Sequence, residues 1–242
     1  MSKAFKGGLC AYCCQTEAAT AGHVIARGFF PLELRGNLPK VGACKVCNNK
    51  KSQLEHRLTL IMPFGARHSG ASESLQAVEG KIAKNQKLLR WLAEGLRYTL
   101  RSVDGSPWQL EMTVPAPSQD IEELGAYIVK GLARHHWNLD IGPGIFVRAS
   151  FLKAHEAAAF ERFFEGKAKE RLSGNLGEGV FAYDAIQSVA DPVITLWKMT
   201  LYGAEVGGDP KPAGERASLL YGVTLAKDTK AAALLAEIFG GQ

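Results

Sequence analysis

Apolar residues recur along this chain with two different periods, and the changes of period divide it into elements. From Asn48 to about Met62 there is no Gly or Pro, and Leu54, Leu58 and Ile61 fall at helical spacing until Pro63 stops the run, which predicts an amphipathic helix. Upstream, Ala18 to Ala26 predicts a short strand ending in a turn around Arg27-Gly28, and Leu38 to Lys45 predicts a second strand. Beyond Phe64, Gly65 to Ala71 reads as a connection, after which Ile82, Leu89, Leu92, Leu96 and Leu100 form a helical stripe. Further helices are predicted around Ile121, Leu124, Ile128 and Leu132, and from Phe151 to about Lys169. Trp108 to Val114, Gly179 to Tyr183, Ile194 to Tyr202 and Leu219 to Ala226 read as strands, with Trp197, Met199 and Leu201 alternating against Lys198 and Thr200. Gly, Asp and Pro turns, rather than regular helices, separate the late strands. The fold class expected is therefore α+β, with helices packed on an antiparallel sheet.

At 242 residues the chain is long enough for one large domain or two modest ones, and 46% hydrophobic with 22% charged residues is ordinary globular composition. No apolar run approaches the length needed to cross a bilayer, and residues 1–8 lack the apolar core of an export signal, so a cytoplasmic protein without membrane contact is expected. The net charge of +5 becomes informative when divided. Residues 1–70 carry ten Lys or Arg against three Glu, a net of +7, which leaves −2 for the rest. A basic head on a mildly acidic body suits nucleic-acid binding, because neutralised phosphates supply much of the affinity. A solubilising surface is the plainer alternative.

The basic stretch also holds all five cysteines. Cys10 and Cys13 form one Cys-x-x-Cys pair, Cys44 and Cys47 another, and four thiolates brought together make the tetrahedral cage that zinc prefers. Such a zinc has no open coordination position, so it is expected to be structural. Disulfides are the weaker reading: Cys14 would be left over, and nearly all of the chain beyond Cys47 would carry no bridge. Cys13 rather than Cys14 gives the two-residue gap from Cys10.

With CAYC, GHVIARGFFP and ACKVCNNKKS in place, the first 60 or so residues resemble the zinc-stabilised HNH endonucleases, the ββα-metal nucleases. The resemblance implies a treble-clef-like zinc module over residues 1–66, an appended α+β region over 67–242, and hydrolysis of DNA with a divalent metal. His23 takes the position of the general base, Asn48 that of the ligand to a catalytic Mg²⁺, Mn²⁺ or Ni²⁺, and Lys51 that of the lysine that follows. Arg27, Lys45, Lys50 and Lys51 are candidates for holding the nucleic-acid backbone. The chemistry is consistent: an imidazole deprotonates water near neutral pH, and an amide oxygen suits a hard cation.

Two departures from the family pattern stand out. Gly22 occupies the place before His23 where an Asp or Glu normally ligates the metal, and Glu17, Glu33, Glu55 and His56 are the candidates to replace it. Asn37 is the nearest match to the middle Asn but lies further from Cys44 than usual. Asn48 is equally a candidate helix N-cap. The paired Lys50 and Lys51 are equally candidates for a solvated helix face. His135-His136-Trp137 reads as a helix end with a core anchor, and the C-terminal region is open to orienting DNA, homodimerisation or binding a regulator. The alternatives to a nuclease are a non-catalytic zinc module that binds nucleic acid or a protein, and a small-ligand sensor in the C-terminal body.

Overall fold

Two short strands and a helix follow one another at the N-terminus in the predicted order. In the computed structural model, β1 (Thr20–His23) pairs antiparallel with β2 (Lys40–Ala43), setting Gly22 opposite Val41 and His23 opposite Lys40. The structure describes residues 5, 7–63, 73, 75–76, 78, 80, 82–83, 85–102, 107–113, 117–202, 219–226 and 238–239. The predicted connection from Gly65 to Ala71 lies outside these residues, as does Val114.

Helix α1 (Lys45–Ile61) begins three residues earlier than its apolar periodicity suggests. Cys44 is extended, and its sulfur accepts the N–H of Cys47, so the second Cys-x-x-Cys is the first turn of the helix and not a turn before it. Asn48 is consequently not the N-cap. It sits within the helix, its N–H bonded to the Cys44 carbonyl at 3.0 Å.

Helix α2 (Gln86–Gly95) is capped by the Asn85 side chain, which accepts the Leu88 N–H at 3.2 Å, and it stops at Gly95. Leu100 therefore does not continue the helical stripe; it lies in β3 (Arg97–Arg101), which forms a hairpin with β4 (Gln109–Thr113). Helix α3 (Ser118–Trp137) ends at Asn138, which takes the left-handed conformation usual after a helix C-terminus. The helix predicted from Phe151 to about Lys169 is shorter at both ends. Phe151 closes β5 (Ile145–Phe151), helix α4 spans Ala154–Glu165, and Ala168 opens β6 (Ala168–Leu176).

Strands β7 (Phe181–Ser188), β8 (Thr195–Leu201) and β9 (Leu220–Ala226) complete a five-stranded sheet in the order β5-β9-β8-β7-β6, every neighbour antiparallel. Both faces of this sheet are covered. Trp197 and Met199 face α3, where Gly222 leaves room for Val129, while Leu196, Val223 and Leu225 pack with Phe160 and Phe164 of α4. The fold is thus α+β, as the pattern of periods predicts. Among the described residues no helix is long and apolar enough to cross a membrane.

One buried cluster runs from the N-terminal unit into the sheet, across the division expected near residue 66. Val24 packs onto Gly131 of α3 so closely that a Cβ there would lie 2.7 Å from a Val24 methyl. Tyr202 donates its hydroxyl to the Phe29 carbonyl at 2.9 Å, and Arg57 of α1 pairs with Asp120 of α3 at 2.6 Å. Trp137 packs against Trp197 with ring centroids 5.1 Å apart and planes tilted by 56°, so the aromatic residue after the histidine pair is a core anchor as expected. The close approach at Gly131 generates a prediction. Gly131→Val should destabilise the protein by on the order of 2 kcal/mol through overpacking, read as a fall in the urea midpoint, and adding Val24→Ala should recover part of that loss.

A four-cysteine centre beside a polar cleft

The two Cys-x-x-Cys segments meet because the β1–β2 ladder brings their ends together. Ala11, between the first pair, donates its N–H to Gly42 of β2 at 2.9 Å, and the second pair starts α1 directly after β2. The sulfurs of Cys10, Cys13, Cys44 and Cys47 all lie within 4.8 Å of one another, forming a group able to hold a metal ion. Tetrahedral Zn–S bonds of about 2.3 Å place sulfurs roughly 3.8 Å apart, so a slight contraction completes a closed site. The set fits a structural zinc.

Backbone N–H groups reach several of the sulfurs, and the four thiols differ in their surroundings. The Tyr12 N–H donates to Cys10 Sγ and the Cys47 N–H to Cys44 Sγ, each at 3.4 Å, and the positive end of the α1 dipole lies at Cys44 and Cys47. Burial tends to raise Cys13, but N–H groups of Gln15 and Thr16 and the neighbouring thiols outweigh it and bring the group to about 6. Cys10 and Cys47 are pushed up, chiefly by burial. Helix α3 buttresses the first pair: Lys130 donates to the Tyr12 carbonyl at 3.0 Å, and Tyr127 packs edge-on against Tyr12 at 5.1 Å.

Cys14 turns away from the cage. Its φ of +52° redirects the chain, and its sulfur sits 3.8 Å from an Asp140 oxygen. Burial and the Asp140 charge push its thiol to about 11.

Helix α1 presents one polar face to β1. Asn48, Lys51, Ser52, Glu55, His56 and Thr59 follow i, i+3, i+4, i+7, i+8 and i+11 spacing, and all line a cleft of about 530 Å³. Gly22, His23, Arg27 and Gly28 form the opposite wall, and Asn85 and Leu88 of the α2 segment close one end. Asn48 Oδ1 points at Gly22, lying 2.9 Å from where a Cβ would stand. The missing side chain at position 22 is what makes room for the amide.

His23 is half-buried, and its pKa lies below the usual 6.5 because burial disfavours the imidazolium and because Lys40, Arg27 and Lys51 are cationic neighbours. The neutral ring is therefore the favoured form at pH 7. Lys51 departs from the expected roles of phosphate contact or solvated face. It is 2% exposed, donates to the His23 carbonyl at 2.9 Å, and forms an ion pair with Glu55. Burial lowers the Lys51 pKa and raises that of Glu55, each opposed by the partner's charge.

The other sequence candidates divide cleanly. Arg27 is exposed at the cleft, whereas Lys45 and Lys50 are exposed on α1 away from its lining. Of the substitutes for the missing acid, Glu55 and His56 line the cleft, while Glu17 and Glu33 lie outside it. Asn37 is an exposed turn residue with φ +56°. Ser52, Thr59 and Asn85 were not singled out from the sequence, although the helical phase of Asn48 would have found the first two.

For a hard divalent cation the cleft is a thin donor set. Among its described lining residues Glu55 is the one carboxylate, and it already pairs with Lys51; Asn48 and Asn85 are the side-chain amides, and Asn48 Oδ1 lies against Gly22. Compared with protein-family models, with curated proteins and with solved structures, the chain gives no match.

Two predictions follow from this geometry. Purified protein should carry one zinc per chain by elemental analysis; Cys10→Ser or Cys44→Ser should abolish it and unfold the N-terminal unit, while Cys14→Ser should leave the metal content unchanged. Titrated by NMR, the His23 ring should show a midpoint below 6.5. Lys40→Gln should move that midpoint upward, since it removes the cation opposite His23 in the ladder.

Proposed function

We propose that the cleft between β1 and α1 binds the DNA backbone and hydrolyses a phosphodiester with a divalent metal ion, as an HNH-type endonuclease does. The observation that carries this reading is the convergence of His23 and Asn48 on one cleft with exposed Arg27, beside a cage of four cysteines. The basic N-terminal charge supports the choice of an anionic substrate.

In this mechanism the neutral His23 ring takes a proton from water as the water oxygen attacks phosphorus. The bond from phosphorus to the departing sugar oxygen breaks, and that oxygen is protonated from solvent. Arg27 holds a phosphate oxygen against the developing charge. Lys51 is a positioning residue, since its ammonium ties the His23 carbonyl to α1 through Glu55. Asn48 would hold the divalent ion together with substrate oxygens, and that ion supplies neutralisation of charge on the phosphate and the leaving oxygen.

Gly22 favours a second reading, in which the same cleft binds nucleic acid without cutting it. The two readings separate in a plasmid-nicking assay with Mg²⁺, Mn²⁺ or Ni²⁺. The nuclease reading expects metal-dependent nicking that falls by at least about 100-fold in His23→Ala, the usual scale for loss of a general base. Absence of nicking with all three metals, alongside salt-dependent DNA binding, would select the non-catalytic reading. Undiminished nicking by His23→Ala would overturn the role assigned to His23. Gly22→Asp should raise nicking about tenfold or more by adding a carboxylate ligand, provided that the Asn48 amide swings aside to admit the new Cβ.

A further inference from the structure

The β3–β4 hairpin carries an apolar face that nothing in the described fold covers. Tyr98 is 62% exposed, Leu100 65%, Trp108 71% and Leu110 67%. Leu100 pairs directly with Leu110, and Tyr98 lies two residues away on the same strand, so period-2 alternation puts them on one face; Trp108 is two residues before Leu110. The intervening positions Arg97, Thr99, Arg101, Gln109 and Glu111 are polar. The sequence of the ribbon thus alternates apolar and polar positions, and among the described residues its sheet has two strands.

Such a ribbon is marginal in water without a third strand or a covering layer. Fully exposed side chains of these sizes offer roughly 150–250 Å² each for the aromatics, so the four together present on the order of 500 Å². Complete burial of these side chains in two copies meeting there would remove at most about 1,000 Å² in total, the lower bound for a specific interface. The four positions contain no cation, which fits a second apolar ribbon and does not fit the phosphates of a nucleic acid. Two-fold pairing is also the closure that uses a single self-complementary patch.

From these observations we infer that the hairpin is a homodimer interface, with the apolar ribbons of two chains packed face to face across a two-fold axis. The strand pair follows α2 directly, and Asn85 and Leu88 at the start of that helix line the polar cleft. The dimer therefore carries two clefts, each joined to the interface through α2.

The test is the mass of the full-length, zinc-loaded protein by analytical ultracentrifugation across the micromolar range. The expected result is a dimer for the wild type and at least a tenfold weaker association for Trp108→Glu/Leu110→Glu, with an unchanged circular dichroism spectrum. Both substitutions are at exposed positions, so folding should be spared. A wild type that stays monomeric throughout, or a double variant that dimerises as tightly, overturns the inference. So does a double variant of unchanged mass that loses DNA binding, which would assign the face to nucleic acid. The readout does not involve cleavage, so it stands or falls separately from the nuclease reading.

Discussion

The meeting of four sulfurs decides more than a metal site. Cys44 is at once a cage member and the N-cap of α1, so the cage fixes where that helix begins and therefore its rotation. With the start at Lys45, the positions three and four residues apart from Asn48 onward face β1. A start one residue later would turn that face by about 100° and send Asn48 away from Gly22. The polar cleft is a consequence of the cage geometry, transmitted through helical phase.

The body of the protein holds this arrangement from behind. Helix α3 reaches the first cysteine pair through Lys130 and Tyr127, the residue that follows the strand bearing His23 through Gly131 against Val24, and α1 through Asp120. The same helix lies on the five-stranded sheet, whose Trp197 and Met199 are almost fully buried beneath it. Buried Lys51 adds a tie across the cleft itself. An ammonium taken out of water is tolerable only with its partners in place, so the His23 carbonyl and the Glu55 carboxylate are held at the positions it requires.

Much of the candidate site could be read from the chain. Two Cys-x-x-Cys spacings identify the cage members, and the basic stretch around His23 marks the cleft. The start of α1 was hidden because a cysteine side chain serves as its cap, and propensity rules assign that role to Ser, Thr, Asp or Asn. The burial of Lys51 was hidden because one of its partners is a backbone carbonyl 28 residues away, which no side-chain pattern records, while its i,i+4 pairing with Glu55 reads equally well as an exposed helix pair. Strand β6 reads Ala-Lys-Glu-Arg-Leu-Ser-Gly-Asn-Leu and is polar because it is a sheet edge with one exposed side. Strand β5 alternates weakly, since helices lie on both faces of its sheet. Leu96 and Leu100 keep helical spacing with Leu92, but Gly95 ends the helix first and the chain continues as a hairpin.

The central claim is that the cleft phased by the cysteine cage is where the DNA backbone binds. It is tested most directly by following histidine ring resonances of the zinc-loaded protein during titration with a short DNA duplex. His23 and His56 line the cleft, whereas His135 and His155 do not. The account predicts saturable shifts of the His23 and His56 signals at low salt, reversed by added salt, with His155 unmoved. Shifts confined to His135 or His155, with His23 unchanged at saturating DNA, would contradict it.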